Sequence, residues 1–333
     1  MGTDTGFTDH GAEADRAAFS ALLADVPESD HPETMADPAD PDLFFSNVYF
    51  CTVWHVSAAA ADRIADPAAS GFIRNGNFRS IPVCLAFPFS FFCTLSVPEQ
   101  AYGIAKAFGE FQQQLTDLPG RLHETIPDFH NTPKRIEQLE QAIKNDAVGR
   151  VAKVQKEIDF ILSRKEEAGT LVKLNASGDI PERITHNDTK CNNVLIDDLT
   201  GEGVAVIDLD TVMPGLSLYD FGDMVRTCTS PADEDEVNLS KVYMQFNMYE
   251  ALFRGFCDAA NCFMTPAEKE NLAFAGKLIT LEIGTRFLAD YLNGDTYFKI
   301  KRPEQNLDRC RSQLKLVTSI EEQMDAMQKL LLK

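Results

Sequence analysis

His186-Asn187-Asp188-Thr189-Lys190-Cys191-Asn192-Asn193, joined fifteen residues later to Asp208-Leu209-Asp210, is the stretch on which the reading of this 333-residue chain turns. It consists of a His-x-Asp, an Asn five residues beyond the Asp, a short apolar strand, a turn, a second strand and an acid. Phosphoryl transfer from ATP requires those parts in that order. One carboxylate accepts the proton of an attacking hydroxyl, while an amide oxygen and a second carboxylate hold the Mg²⁺ that neutralises the phosphates. Val194-Leu195-Ile196 and Val204-Ala205-Val206-Ile207 are apolar and rich in β-branched residues, and the segment Asp197-Asp198-Leu199-Thr200-Gly201-Glu202-Gly203 between them has hairpin-turn chemistry. A hairpin brings its open ends together, so Asn193 and Asp208 are expected to meet around one cation. An isolated Asp-x-x-x-x-Asn is common. The joint pattern is far rarer, and it favours a phosphotransferase loop over a fortuitous polar loop attached to a hairpin.

The bulk properties exclude several other classes. A net charge of −20 leaves no basic stripe able to hold nucleic acid. Eight cysteines show no CxxC pair and no zinc spacing, as expected of reduced thiols in a cytoplasmic protein, with Cys191 a neighbour of the loop chemistry rather than a nucleophile. The acidic N-terminus has no apolar core, which predicts no secretory leader. The apolar stretch Ile81 to Cys93 contains Pro82 and Pro88 and is too short to span a bilayer.

The chain changes character near residue 96. Residues 1–45 hold eleven acids and one base, Arg16, and are rich in Asp, Ala and Pro; such a segment buries little apolar surface and is expected to be disordered or weakly helical. Residues 46–95 are rich in Phe, Ala and Pro without periodicity. Orderly signals follow. Ser96-Val97-Pro98-Glu99 reads as a capping box with proline at the first helical position. Tyr102, Ala105, Phe108, Phe111 and Leu115 then recur at helical spacing. Further helices are expected at about 132–144, 148–164, 216–228, 236–260, 266–293 and 303–331, with Thr265-Pro266-Ala267-Glu268 a second capping box.

On these residues the chain resembles the aminoglycoside/choline kinase-like phosphotransferases. Within them it is similar to the N-acetylhexosamine 1-kinases through Ile184-Thr185-His186-Asn187-Asp188-Thr189-Lys190, Ile207 to Gly215, Tyr219-Asp220-Phe221-Gly222-Asp223 and Arg286 to Leu292. The resemblance runs from about Pro98 to the C-terminus. It implies an α+β, protein-kinase-like bilobal fold whose mainly helical C-lobe spans 96–333. It also implies transfer of the γ-phosphate of ATP, with Mg²⁺, to the anomeric hydroxyl of GlcNAc or GalNAc. By motif position Asp188 is the base, Asn193 and Asp208 hold the metal, Lys190 and Ile207 lie on the nucleotide side, and Asp210, Arg286 and Tyr297 bind the sugar. Each residue also has a structural reading: Asp210 as a turn cap, Arg286 as an ion pair with Glu282, Tyr297 as rim, and Lys190 as a solvated cation. His186 reads as a buried ring beneath the loop, and Asp220 as the acid that ties the loop amides to the next helix.

The resemblance fails before residue 96. The fold it implies needs a glycine loop and a strand lysine for the α- and β-phosphates, yet no lysine precedes Lys106, which falls inside the first expected helix of the C-lobe. Gly71-Phe72-Ile73-Arg74-Asn75-Gly76 is a poor substitute, and Arg74 or Arg79 would have to replace the lysine. Residues 46–95 are therefore expected to be a degraded or divergent N-lobe, through a shifted frame or rearranged gene. The alternatives left open are a choline- or aminoglycoside-type kinase and a non-catalytic sugar-binding remnant.

Overall fold

The computed structural model describes residues 89–90, 95, 97–197 and 200–332, all within one structural unit. The expected acidic tail over 1–45, and nearly all of the expected N-lobe segment over 46–95, lie outside the described residues. A short strand β1 (Phe89–Ser90) precedes helix α1 (Pro98–Gln114). The N-cap of α1 is Val97, which has no side-chain cap; with Pro98 filling the first helical position, the start falls one residue later than Ser96-x-x-Glu99 suggests. Helix α2 (Thr132–Asn145) is capped by the Asn131 side chain, which accepts from the Lys134 amide.

The helix expected over 148–164 is shorter. A 3₁₀ turn, Val151–Lys153, comes first, and only Gln155–Leu162 (α3) is α-helical. Gly149 has φ +67°, which a helix cannot accommodate. Helix α4 (Thr170–Ser177) had no sequence signal; it ends on Gly178, which adopts the left-handed conformation favoured after a helix.

Four short strands then frame the motif: β2 (Arg183–Thr185), β3 (Val194–Asp197), β4 (Gly203–Val206) and β5 (Met213–Gly215). β3 and β4 form the expected antiparallel hairpin, with Val194 opposite Val206 and a register shift at Leu195/Ile196, and β1 adds to the outside of β3. β2 and β5 form a second antiparallel pair, with Thr185 opposite Met213. The sequence does not announce this pair. It has a large consequence, because segments 186–193 and 207–212 are each bounded by paired strands at both ends. They must face one another along their length.

Helices α5 (Ser217–Cys228), α6 (Phe246–Ala260), α7 (Pro266–Glu270), α8 (Leu272–Leu292) and α9 (Gln305–Gln328) complete the lobe. The helix expected over 236–260 begins only at Phe246, after a 3₁₀ turn at Leu239–Lys241. The one expected over 266–293 breaks at Asn271. The Thr265–Glu268 capping box is present as read. α8 is buried on almost every face and packs against α2, α5 and α9, while α1 packs along α6. An all-round apolar helix of this kind is the centre of a core. The result is an α+β fold, mainly helical with two small sheets.

Gly255 shows how closely α1 and α6 approach. A Cβ there would meet the Tyr102 backbone, with its carbonyl carbon at 2.9 Å and its carbonyl oxygen nearer still. Gly255→Ala is therefore expected to destabilise the protein by about 1–3 kcal/mol through overpacking. Denaturant unfolding checks this; an unchanged midpoint would show that the two helices can slide apart. Among the described residues, Cys191, Cys228, Cys257, Cys262 and Cys310 are free thiols. No described helix is long and apolar enough to cross a membrane.

Candidate active site

The floor of the site is a buried ring and a buried acid. His186 is fully buried under the edges of Phe108 and Phe111, with ring centroids 5.2 and 5.9 Å away. Its Nε2 lies 2.9 Å from the Ile207 carbonyl, and the Asp188 amide donates to its Nδ1 at 3.3 Å. One nitrogen faces an acceptor and the other a donor. Both nitrogens are committed to backbone, in keeping with the structural role read from the sequence. Asp220, also fully buried, accepts from the His186 amide (2.9 Å), the Asn187 amide (2.7 Å) and the Gln112 carboxamide (2.6 Å). Burial pushes the Asp220 carboxyl up, while its three donors favour the ionised form. This is the tie between loop and helix that the motif implied.

Above that floor the two loops are hydrogen-bonded to each other. The Asn193 side-chain Nδ2 donates to the Asp188 carbonyl at 2.8 Å, and the Ile207 backbone amide donates to the Asn193 backbone carbonyl at 2.9 Å. Thr211 Oγ1 donates to the His186 carbonyl, and the Asn187 side chain donates to the Thr211 carbonyl, at 2.7 and 3.0 Å. Asn193 thus opens β3 directly across from the residues that close β4. Asp208, just beyond, is exposed and adopts φ +61°, a left-handed conformation that turns the chain sharply out of the strand. With its nitrogen engaged, Asn193 offers its oxygen. Neither that oxygen nor the Asp208 carboxylate has a hydrogen-bond or ion-pair partner among the described residues. One amide oxygen and one carboxylate suit Mg²⁺, which takes oxygen ligands and keeps several positions for water and phosphate. No group of three or more His, Cys, Asp or Glu side chains that could cage a metal occurs among the described residues.

Asp188 is ion-paired to Lys190, Nζ to Oδ2, at 2.8 Å, with 23% and 46% of their side chains exposed. Such a pair is worth about 0.2–1 kcal/mol. The pair is therefore easily opened. Asp210 lies in a 3₁₀ turn, Leu209–Thr211, where it is exposed and makes no capping hydrogen bond among the described residues.

Arg286 does not form the ion pair with Glu282 that their i,i+4 spacing suggested. Glu282 is wholly buried and turns to His130 (2.9 Å) and Thr132 (2.8 Å). The Arg286 guanidinium instead lies among three rings, 5.0 Å from Phe129, 5.9 Å from Tyr297 and 5.7 Å from Phe298. Tyr297 is 66% exposed, at the rim. Its position is set by the buried Asp290 carboxylate, which accepts from the amides of Thr296, Tyr297 and Phe298. Phe129 touches His130, and His130 Nε2 lies 3.1 Å from the Asn187 carbonyl, so the Arg286 cluster is joined to the loop through adjacent side chains. The pairing of His130 with Glu282 carried no sequence signal, because 152 residues separate them.

A cleft of about 910 Å³ lies at the turn end of the hairpin, lined by Lys106, Gly201, Glu202 and Arg254 among others. None of Asp188, Asn193 or Asp208 lines it, so it is not this site.

A sequence model of the phosphotransferase enzyme family (APH) matches residues 94–252. Among solved structures, the chain is similar to a microcompartment-associated aminopropanol kinase, with 14% identity, 71% of this chain and 65% of that one covered, and a TM-score of 0.39. It is also similar to the ADP-bound aminoglycoside phosphotransferase APH(2'')-Ib, with 15% identity, 68% and 67% covered, and a TM-score of 0.37. A choline kinase from Cryptosporidium parvum Iowa II gives 14% identity, 71% and 70% covered, and a TM-score of 0.38. The chain thus spans just under two thirds of the length of the aminopropanol kinase. Asp188, Asn193, Asp208 and Asp210 lie within the matched residues, whereas Arg286 and Tyr297 fall outside them.

Proposed function

We propose that this chain is a small-molecule kinase that moves the γ-phosphate of ATP to the anomeric hydroxyl of an N-acetylhexosamine, GlcNAc or GalNAc. The reading is supported by two loops held face to face by strand pairs, in which the Asn193 side chain bonds the Asp188 carbonyl and the Ile207 amide, next to Asp208, bonds the Asn193 carbonyl. Asp188 accepts the proton of the sugar O1 as it attacks. Asn193 Oδ1 and the Asp208 carboxylate would hold Mg²⁺, which would supply neutralisation of the phosphates. Lys190 leaves Asp188 for the transferring phosphoryl group, and the Ile207 backbone closes the nucleotide side. Asp210, Arg286 and Tyr297 orient the sugar.

The electrostatics beside Arg286 favour a neutral acceptor. Arg135, half-buried, has its pKa lowered first by burial and then by the Arg286 charge, so two guanidinium groups face one region. Choline or an aminoglycoside would be repelled there, whereas a polyol can accept from a rigid fork of donors.

A second reading, a sugar-binding protein without turnover, is favoured by the absence of any lysine before Lys106. Removing one such charge contact costs about 3–4 kcal/mol of transition-state stabilisation. Weak or no phosphorylation of GlcNAc is therefore expected from the chain as it stands, and robust turnover would refute a damaged N-lobe. Phosphate transfer from ATP to GlcNAc, with Asp188→Ala as control, tests the kinase. Calorimetry separates the two readings: GlcNAc binding without Mg·ATP binding indicates the binding protein, and binding of both indicates the enzyme.

A further inference from the structure

His130 stands between two acceptors. Its Nδ1 is 2.9 Å from a Glu282 carboxylate oxygen and its Nε2 is 3.1 Å from the Asn187 carbonyl. A neutral imidazole has one N–H and cannot donate to both, so this geometry fits only the imidazolium. The ring is 5% exposed and Glu282 is fully buried. Burial opposes the charge, but Glu282 and then the Asn187 carbonyl outweigh it, and the His130 pKa is raised overall. Glu282 meets the same burial and is lowered overall, first by His130 and then by Arg286.

Other groups face the pair. From α5 come Asp223, one of whose oxygens is buried without a partner, and Tyr219, whose ring lies 5.3 Å from that of His130. Arg286 lies one turn along α8, and Arg135 comes from α2.

The carbonyl that His130 holds belongs to the same peptide unit as the Asp188 amide, and that amide donates to His186 Nδ1. Asn187 itself adopts φ +65°, a conformation that costs energy for a residue other than glycine. A strained peptide plane, pinned on both edges by histidines, sets the direction in which the next side chain leaves the chain. We propose that His130, braced by Glu282, is a positioning residue that holds the Asn187–Asp188 peptide plane and with it the Asp188 carboxylate. The functional meaning of this rests on Asp188 being the base; the conformational part does not.

The sign of the pH dependence follows from the two shifts. Stabilisation through His130 is present below its unfolded value near 6.5 and is lost as pH rises through the raised folded value. Stabilisation through Glu282 is present above its unfolded value near 4.5 and is lost as pH falls through the lowered folded value. Glu282→Gln keeps the shape and removes the brace, so His130 should lose its proton at lower pH.

The test is ¹⁵N NMR of histidine-labelled protein, with amide exchange at Asp188. In the unmodified chain both His130 nitrogens should give imidazolium shifts at pH 7.5, and the Asp188 amide should be protected. In Glu282→Gln the ring should be neutral at that pH and the Asp188 amide should exchange about tenfold faster. Protection should return as pH is lowered, a rescue that loss of packing alone would not give. A neutral His130 in the unmodified chain overturns the proposal, whether or not the variant folds. Unchanged Asp188 exchange in a folded Glu282→Gln overturns it as well. None of these readouts needs turnover, so failure of the kinase reading would appear separately, in the Asp188 assays.

Discussion

Asp188→Asn is expected to lower phosphate transfer to the sugar by about 10²–10⁴-fold, the range for loss of a general base. The substitution keeps the side chain's size and removes the proton acceptor. It also removes the pair with Lys190, but with 46% of the Lys190 side chain exposed, that loss should barely touch stability. Because the base acts in the transition state, kcat should fall while KM for the sugar stays nearly constant. Radiolabelled ATP makes the assay sensitive enough for a slow enzyme. Turnover within about threefold of the unmodified protein would remove Asp188 from the mechanism, whatever the role of its neighbours.

Asp220→Ala should have the largest effect on stability. The carboxylate satisfies the amides of His186 and Asn187 and the Gln112 side chain at a site with no exposure to water. Gln112 also accepts from Ser217 at the start of α5, so its orientation depends on the same node. Truncation strands three buried donors, each at about 1–3 kcal/mol. A loss of about 3 kcal/mol or more is expected, with Tm falling by about 2–4 °C for each kcal/mol in a domain of this size. Asp210→Ala is the matched control, since Asp210 is exposed and makes no capping hydrogen bond among the described residues, and its Tm should not move. Equal melting of the two variants would show that the loop does not depend on Asp220.

The local parts of this site were legible because their chemistry is short-range. Val194 to Val206 encodes a hairpin through its own apolar runs and turn residues, and Thr265-Pro266-Ala267-Glu268 encodes a helix start within four residues. The elements that went unread are those that only distant partners stabilise. β2 and β5 have three residues each and exist because they pair with each other. The helices expected over 148–164 and 236–260 shrank because turn conformations interrupted a periodicity that is itself only a weak prior. Arg286 illustrates the same limit: its i,i+4 spacing suggested Glu282, but that acid was taken by His130 across 152 residues of sequence.

By itself, then, the sequence determined which residue types stand at 188, 193 and 208, and that a hairpin joins the last two. Tertiary structure decided that a second strand pair closes the loops against each other, that Asp220 fastens them from below, and that His130 and Glu282 grip the peptide before Asp188. The division has a physical cause. Turn and strand preferences act over a few neighbouring residues, whereas a buried charge finds its partner only once the whole core has excluded water and left it no other.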